Sequence, residues 1–381
     1  MIVSLNKPLV TNSFKDIFEQ YNWEDVKNFI YSVKPYQVKE VLQKNELTPH
    51  DFAILVSPAA KTFLPQMIQK SQHLTRQRFG KNIWLYAPLY LSNECKNICT
   101  YCGFSFNNKI PRKTLNDSEI RQEAEFLKKK GFEHILIVTG EDNQNVHVHY
   151  LSHAIDILKN YFSNISIEVQ PLEYEEYQLL AQKNIYAVLV YQETYNINNY
   201  KIYHTKGRKS NFYYRLETPD RIGKAEIHKI GLGVLLGLED WRVDSFFTAL
   251  HLDYLQKRYW KSRFSISFPR IRPAIGAIQE NIHIQDEELK QLVCAYRIFN
   301  PDVELSLSTR ERSEFRDDLV DIGFTTMSAE SKTNPGGYTI EPTSLEQFEI
   351  DDNRSVDEIV QVLKNKGLEA VFKDWEYALF D

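Results

Sequence analysis

Ile83-Trp-Leu-Tyr-Ala-Pro-Leu-Tyr-Leu91 runs through Ser92-Asn93-Glu94 into Cys95-Lys-Asn-Ile-Cys99-Thr-Tyr-Cys102-Gly103-Phe104. An apolar run of this length, closed by polar residues, predicts a buried strand that delivers a cysteine-bearing loop. Seven more strand-length runs follow: His134–Thr139, Ile165–Val169, Ala187–Tyr191, Gly233–Leu236, Phe264–Phe268, Glu304–Ser308 and Thr325–Met327. Stretches with helical periodicity lie between them. Asp117–Lys130 starts after Asn116 and ends before Gly131, and Val243–Tyr259 and Glu287–Phe299 are equally periodic. Eight buried strands alternating with helices predict an α/β protein built on a parallel (β/α)8 barrel of the TIM type, with an open α/β sheet as runner-up. The fourth unit is less regular, because Asn196–Ser210 is polar and reads as a loop.

Upstream of the first strand the pattern is helical. Phe14, Ile17 and Phe18 share one face, Val26, Phe29 and Ile30 a second, Val38, Val41 and Leu42 a third. Thr48-Pro49-His50-Asp51 reads as a helix start. Downstream, Asn334-Pro335-Gly336-Gly337-Tyr338 is turn-rich, and a last helix is expected over Val356–Lys364. The expected division is a helical extension over 1–75, the barrel over 76–330, and a loop-and-helix tail over 331–381 that covers the barrel.

The chain has 381 residues, 22 Tyr and 22 Phe, enough to fill a large core. A net charge of −5 without a dense basic stripe argues against nucleic acid as a partner. The first residues lack a signal peptide's basic and apolar regions, and no run of about 18 apolar residues exists to span a membrane. A cytoplasmic enzyme is expected.

Three of the four cysteines fall within eight residues, and Cys294 stands far away in a helical stretch, where it reads as a small buried hydrophobe. A disulfide framework would disperse its cysteines; thiols this close point to a soft metal. Structural zinc wants four ligands, and no further Cys or His stands nearby. A cubane cluster held by Cys95, Cys99 and Cys102 leaves one iron without a protein ligand. His147 and His149 lie two apart in an expected loop and read as surface residues.

Cys95-x-x-x-Cys99-x-x-Cys102, with Tyr101 before the third cysteine, resembles the radical S-adenosylmethionine (SAM) superfamily. The resemblance implies a [4Fe-4S] cluster whose open iron chelates S-adenosyl-L-methionine, and one-electron reduction that releases a 5′-deoxyadenosyl radical. Thr139-Gly140-Glu141 ends the second strand and is similar to the superfamily's Gly-Gly-Glu segment, with Thr in place of the first Gly; it implies that Gly140 and Glu141 meet the methionyl ammonium. Gly231-Leu-Gly233-Val-Leu-Leu-Gly237 resembles a segment near the adenine, and tight packing inside the barrel explains the same glycines.

Longer stretches narrow the family. Tyr191-Gln-Glu-Thr-Tyr195, Lys209-Ser-Asn-Phe-Tyr-Tyr-Arg215-Leu-Glu-Thr-Pro-Asp220, Ile230–Arg242, Pro269-Arg-Ile-Arg272-Pro-Ala and Leu307-Ser-Thr-Arg310-Glu resemble the tyrosine lyases of thiamine biosynthesis, the 2-iminoacetate synthases of the ThiH family. The resemblance implies Cα–Cβ cleavage of L-tyrosine to 2-iminoacetate (dehydroglycine) and p-cresol, for the thiazole of thiamine. It implies that Arg310 clamps the substrate carboxylate. By placement Ser328 is a second carboxylate contact or a turn-capping hydroxyl, Tyr90 a partner of the substrate amine or a core residue, Arg215 a partner of the methionyl carboxylate or of a substrate group, and Gln192 and Glu193 contacts to ribose or substrate or else a wet strand-end rim. Gly233 would border the adenine. A bland alternative for Arg310 is an ion pair with Glu311. Arg270 and Arg272 alternate faces, and Arg270 is expected inside the barrel.

The related hydrogenase-maturation lyase carries a further cysteine cluster near its C-terminus, whereas here no cysteine follows Cys294. A lyase acting on another aromatic amino acid such as tryptophan is the alternative function. Expected partners are a thiazole synthase, docked by the N-terminal helices or the tail, and a flavodoxin or ferredoxin as electron donor.

Overall fold

The computed structural model describes residues 13–342 and 346–373. The outer ends of the expected extension and tail, residues 1–12 and 374–381, lie outside the described residues, as do 343–345. Eight parallel strands form a closed ring: β1 (Asn82–Ser92), β2 (His134–Thr139), β3 (Asn164–Glu168), β4 (Ala187–Leu189), β5 (Lys229–Gly233), β6 (Arg263–Ser267), β7 (Glu304–Leu307) and β8 (Thr326–Ser328). Closure runs through β1 against β8, with Trp84 opposite Thr326 and Tyr86 opposite Ser328, so the open-sheet alternative is excluded. The fifth strand lies at Lys229–Gly233 rather than Gly233–Leu236. Its glycines let Leu189 pack against Gly231, where a Cβ would meet that side chain at 2.4 Å. Asn196–Ser210 is not a plain loop. It holds a helical turn, Tyr200–Tyr203, and a strand, His204–Lys206, that pairs antiparallel with Ile98–Cys99 of the cysteine loop. Backbone pairing to that loop supplies order that the polar sequence did not advertise.

Period-two alternation sorts the walls. On β1, Tyr86, Pro88 and Tyr90 face the central cavity, while Leu85, Ala87, Leu89 and Leu91 are buried against the surrounding layer. At the opposite end of the barrel Lys229 donates to Tyr186 at 2.6 Å and to Glu304 at 2.7 Å, a satisfied polar floor.

Why the N-terminal helices form is plain in their caps. Asn22 accepts from Glu24 and Asp25, and Thr48 with Asp51 makes a capping box at Pro49–Leu55. Their apolar faces cover the helices Trp241–Arg258 and Asp286–Phe299 on the outside of the barrel. Phe14 stacks on His251 at 3.7 Å, and Gln291 donates to the carbonyls of Leu55 and Ser57. Trp241–Arg258 is thus buried on nearly every face, between barrel and extension, and is not the one-faced periodic helix its sequence suggested. Cys294 is fully buried in Asp286–Phe299.

After β8 the chain crosses the barrel mouth. Ser331, Thr333, Gln347 and Phe348 line the cavity, so this segment covers it. The helix Val356–Asn365 then leads to β9 (Glu369–Val371), which pairs with Asn82–Trp84 at the start of β1. A buried ion pair between Arg316 and Asp352 pins the crossing segment, and Arg316 also donates to the Ser328 carbonyl. Asp352→Asn leaves a buried guanidinium without its anion and should cost about 3–5 kcal/mol. Asp351→Asn, at the more exposed pair with Arg272, should cost under about 1 kcal/mol. Urea unfolding of the two variants checks the difference.

Candidate active site

One cavity at the C-terminal mouth of the barrel gathers Cys95, Cys99, Cys102, Tyr90, Tyr101, Gly140, Glu141, Glu193, Arg215, Arg310 and Ser328. Most of the residues singled out from sequence therefore share one space. Gln192 and Gly233 do not line it. Gln192 is buried with its backbone N–H on the Gly233 carbonyl, and a Cβ at Gly233 would meet the Tyr191 ring at 2.9 Å. Packing against Tyr191 is thus what the glycine serves.

The cysteine loop is held by close backbone approach. A Cβ on Gly140 would lie 2.2 Å from the Glu94 carbonyl, and one on Gly103 would lie 2.5 Å from the Gln347 carbonyl, which accepts the Gly103 N–H at 3.0 Å. The Gly140 N–H is itself spent on Ser92 O at 2.9 Å. Glu141 ties the loop to the barrel: its backbone oxygen accepts from Lys96 N, and its carboxylate from Asn97 at 2.7 Å and Arg215 at 2.9 Å.

Arg215 also donates to Tyr191 O at 2.6 Å and lies 3.5 Å from Glu193, whose carboxylate takes Lys209 at 2.7 Å. Two carboxylates and two cations are thus interleaved out of bulk water. Burial would raise the Glu141 carboxyl, but Arg215 and Lys209 outweigh it and hold it below its ordinary range. Glu193 keeps a left-handed backbone (φ 70°), an unfavourable conformation for a non-glycine residue. Lys209 is a site residue with no signal of its own in the sequence, because its polar surroundings, Arg208 to Asn211, are those of an ordinary loop.

Tyr101 donates to His204 Nε2 at 2.8 Å. The other ring nitrogen faces the Tyr200 carbonyl at 2.9 Å, an acceptor only, so Nδ1 carries the proton. Burial, Lys209 and Arg215 push His204 well below its usual value, and it is a neutral acceptor at pH 7.

Arg310 is stacked over the Phe348 ring at 3.5 Å and donates to the Arg270 carbonyl at 3.3 Å. Among the described residues it has no carboxylate within 4.0 Å. Glu311, its expected rival partner, is taken by Arg270. Arg270 itself turns away from the cavity, drawn to Glu311 and Asp286, and it is Arg272 that lines the cavity. The expectation for these two arginines is therefore reversed. Ser328 lines the cavity while its hydroxyl accepts from Thr309 N at 3.1 Å. Tyr90 donates to Gln347 Oε1 at 2.7 Å. His147 and His149 are exposed as expected; His147 ends the loop and caps the helix Val148–Leu158, whereas His149 lies inside that helix.

Two observations suit a soft-metal cluster in this cavity. The three thiols line its wall, a donor set that suits a soft metal. Beside them Thr139 Oγ1 lines the cavity, buried and without a hydrogen-bond partner, open to a ligand's polar group.

A closed eight-strand barrel with three thiols in the loop after β1 defines a radical SAM enzyme, and residues 89–250 match the Radical SAM superfamily. Residues 267–369 match the Biotin and Thiamin Synthesis associated domain. The chain is 46% identical over 365 residues to 2-iminoacetate synthase of Escherichia coli (strain K12), covering 96% of this chain and 97% of that protein. It belongs to the 2-iminoacetate synthase family. The hydrogenase maturase HydG from Carboxydothermus hydrogenoformans has the same fold, with 31% identity, a TM-score of 0.87, and coverage of 96% of this chain and 86% of that one. Methylornithine synthase superposes with a TM-score of 0.71 at 19% identity over 90% of this chain and 98% of that one, a likeness of fold.

Gly140→Ala should displace the cysteine loop by about 1 Å and cost about 1–3 kcal/mol or more locally, because the atom it meets is backbone. Faster amide exchange confined to residues 93–105, with barrel strands unchanged, is the expected signature.

Proposed function

We propose that this chain cleaves the Cα–Cβ bond of L-tyrosine, releasing 2-iminoacetate and p-cresol, as part of making the thiazole of thiamine. The observation that carries the reading is Arg310, a guanidinium lining the cavity with no carboxylate partner within 4.0 Å among the described residues. Burial lowers its pKa, so the enclosed cation is under-compensated and a substrate carboxylate would restore the balance. The identity to 2-iminoacetate synthase over nearly the whole chain supports the same reading.

Cys95, Cys99 and Cys102 would hold a [4Fe-4S] cluster whose fourth iron binds S-adenosyl-L-methionine. When bound, that pair supplies a carbon radical able to remove a hydrogen atom from the substrate. Glu141, Arg215, Glu193 and Lys209 form a charge-balanced wall suited to the zwitterionic methionyl group and the ribose, with Tyr101 oriented by His204 beside it. Arg310, with Ser328, would fix the tyrosine carboxylate. Tyr90 spends its O–H on a hydrogen bond to Gln347 and keeps lone pairs for the substrate amine. Deeper in, Tyr86 and Ser306 hydroxyls lie 3.2 Å apart, and Tyr191 donates to Ser267 at 2.9 Å. Such hydroxyls suit a phenol and favour tyrosine over an indole. The crossing segment with Gln347 and Phe348 keeps water from the site.

An imine hydrolyses quickly in water, so direct transfer to a thiazole synthase is the economical fate of the product, and a low-potential flavodoxin or ferredoxin would supply the electron. Among the described residues no helix is long and apolar enough to cross a membrane, in keeping with work in the cytoplasm.

Anaerobically reconstituted protein given reductant, S-adenosyl-L-methionine and tyrosine should produce p-cresol. Arg310→Met should raise the tyrosine KM about a hundredfold by removing a charged hydrogen-bonding partner. An indole product from tryptophan, with none from tyrosine, would overturn the reading.

A further inference from the structure

Among the described residues three carboxylates line the cavity: Glu141, Glu168 and Glu193. Two are consumed. Glu141 is bound by Arg215 and Asn97, and Glu193 by Lys209 and Arg215. Glu168, the last residue of β3, has no cation within 4.0 Å among the described residues. β3 and β7 are four strands apart in a ring of eight, so Glu168 and Arg310 reach toward the barrel axis from opposite walls. Each feels the other's charge, yet no ion pair joins them.

That gap has the polarity of an α-amino acid. A substrate carboxylate on Arg310 would turn the ammonium on the same carbon toward Glu168 and the side chain toward the hydroxyl-lined interior. Hydrogen-atom removal from nitrogen requires the neutral amine, because an ammonium has no lone pair to stabilise the radical left behind. A proton acceptor beside the amine is therefore needed.

We propose that Glu168 is the general base that takes the proton from the substrate ammonium. The step rests on the tyrosine reading above. An N–H bond breaks, an O–H bond forms on the Glu168 carboxylate, and the electron pair stays on nitrogen. Ammonium and carboxylate become amine and carboxylic acid with no redox change, and the proton passes to solvent when the products leave.

The surroundings suit the task. Burial raises the Glu168 pKa to about 7, with Arg310 opposing and Glu193 reinforcing the rise. The groups facing it are Tyr86 and Tyr90 of β1, Tyr191 and Glu193 after β4, Lys209, and Arg310 after β7. A base poised near the working pH transfers protons both ways most readily. Glu168 must be ionised to accept, so activity should fall as pH drops through about 7.

The test is the pH dependence of p-cresol and 5′-deoxyadenosine formation by the reconstituted holoenzyme and by Glu168→Gln and Glu168→Asp. The wild type should lose kcat/KM below about pH 7. At neutral pH Glu168→Gln should lose about a hundredfold or more in kcat. It should recover to within about tenfold of wild type toward about pH 9, where more dissolved tyrosine is already neutral. Glu168→Asp, which keeps a carboxylate, should retain the acid limb at reduced rate. A wild-type profile flat between pH 6 and 8 overturns the proposal. So does a Glu168→Gln loss that is the same at every pH, which would mean a structural role. Wild-type protein that forms 5′-deoxyadenosine but no p-cresol at any pH defeats the tyrosine reading itself, and this proposal with it.

Discussion

Glu141 is the joint on which the active face depends. Its backbone oxygen and one carboxylate oxygen hold the cysteine loop through Lys96 and Asn97, and the other oxygen holds Arg215. Loop, β2 and the segment after β4 are thereby fixed to one another at a single buried anion. An anion in such a place is costly unless its hydrogen bonds are filled. Here they are, and Glu193 and Lys209 complete the balance so that neither sign is left in excess. The three thiols are positioned by this network, by two glycines that let backbone meet backbone, and by the packing of Cys95 and Cys102 against Tyr90, Phe104, Leu136 and Val138.

The site combines this satisfied wall with an unsatisfied one. Among the described residues Arg310 and Glu168 have no ionic partner, Glu168 facing the Tyr191 hydroxyl, and Thr139 Oγ1 lacks a hydrogen bond. Groups of this kind reduce stability when the cavity holds no ligand, and they define the chemistry that the cavity is shaped to receive. Burial also pushes the Cys95 thiol up to about 11, helped by Glu141 and Cys102. A soft metal reverses that effect, because coordination stabilises the thiolate directly.

Much of this was legible in the sequence for identifiable reasons. Strands buried on both faces are continuous apolar runs, so the eight barrel strands stood out, with β5 displaced because its glycines blurred the start. The cysteine spacing was readable from local pattern, while Glu141 and Arg310 stood out through their likeness to a known family together with their places at strand ends. Glu168 was hidden because a single acid at the end of an apolar run looks like any solvated strand end. Lys209 and His204 were hidden because their order comes from pairing with the distant cysteine loop. Arg270 was misplaced because alternation says that two arginines face opposite ways, but only Glu311 and Asp286 decide which one turns outward.

The most direct measurement is electron paramagnetic resonance of the reduced, anaerobically purified protein with and without S-adenosyl-L-methionine, alongside iron and sulfide analysis. The account predicts about four iron and four sulfide per chain and a spectrum that changes when the nucleotide is added, since it docks on the iron that the three cysteines leave open. An iron-free protein, or a cluster whose spectrum ignores the nucleotide, would contradict it.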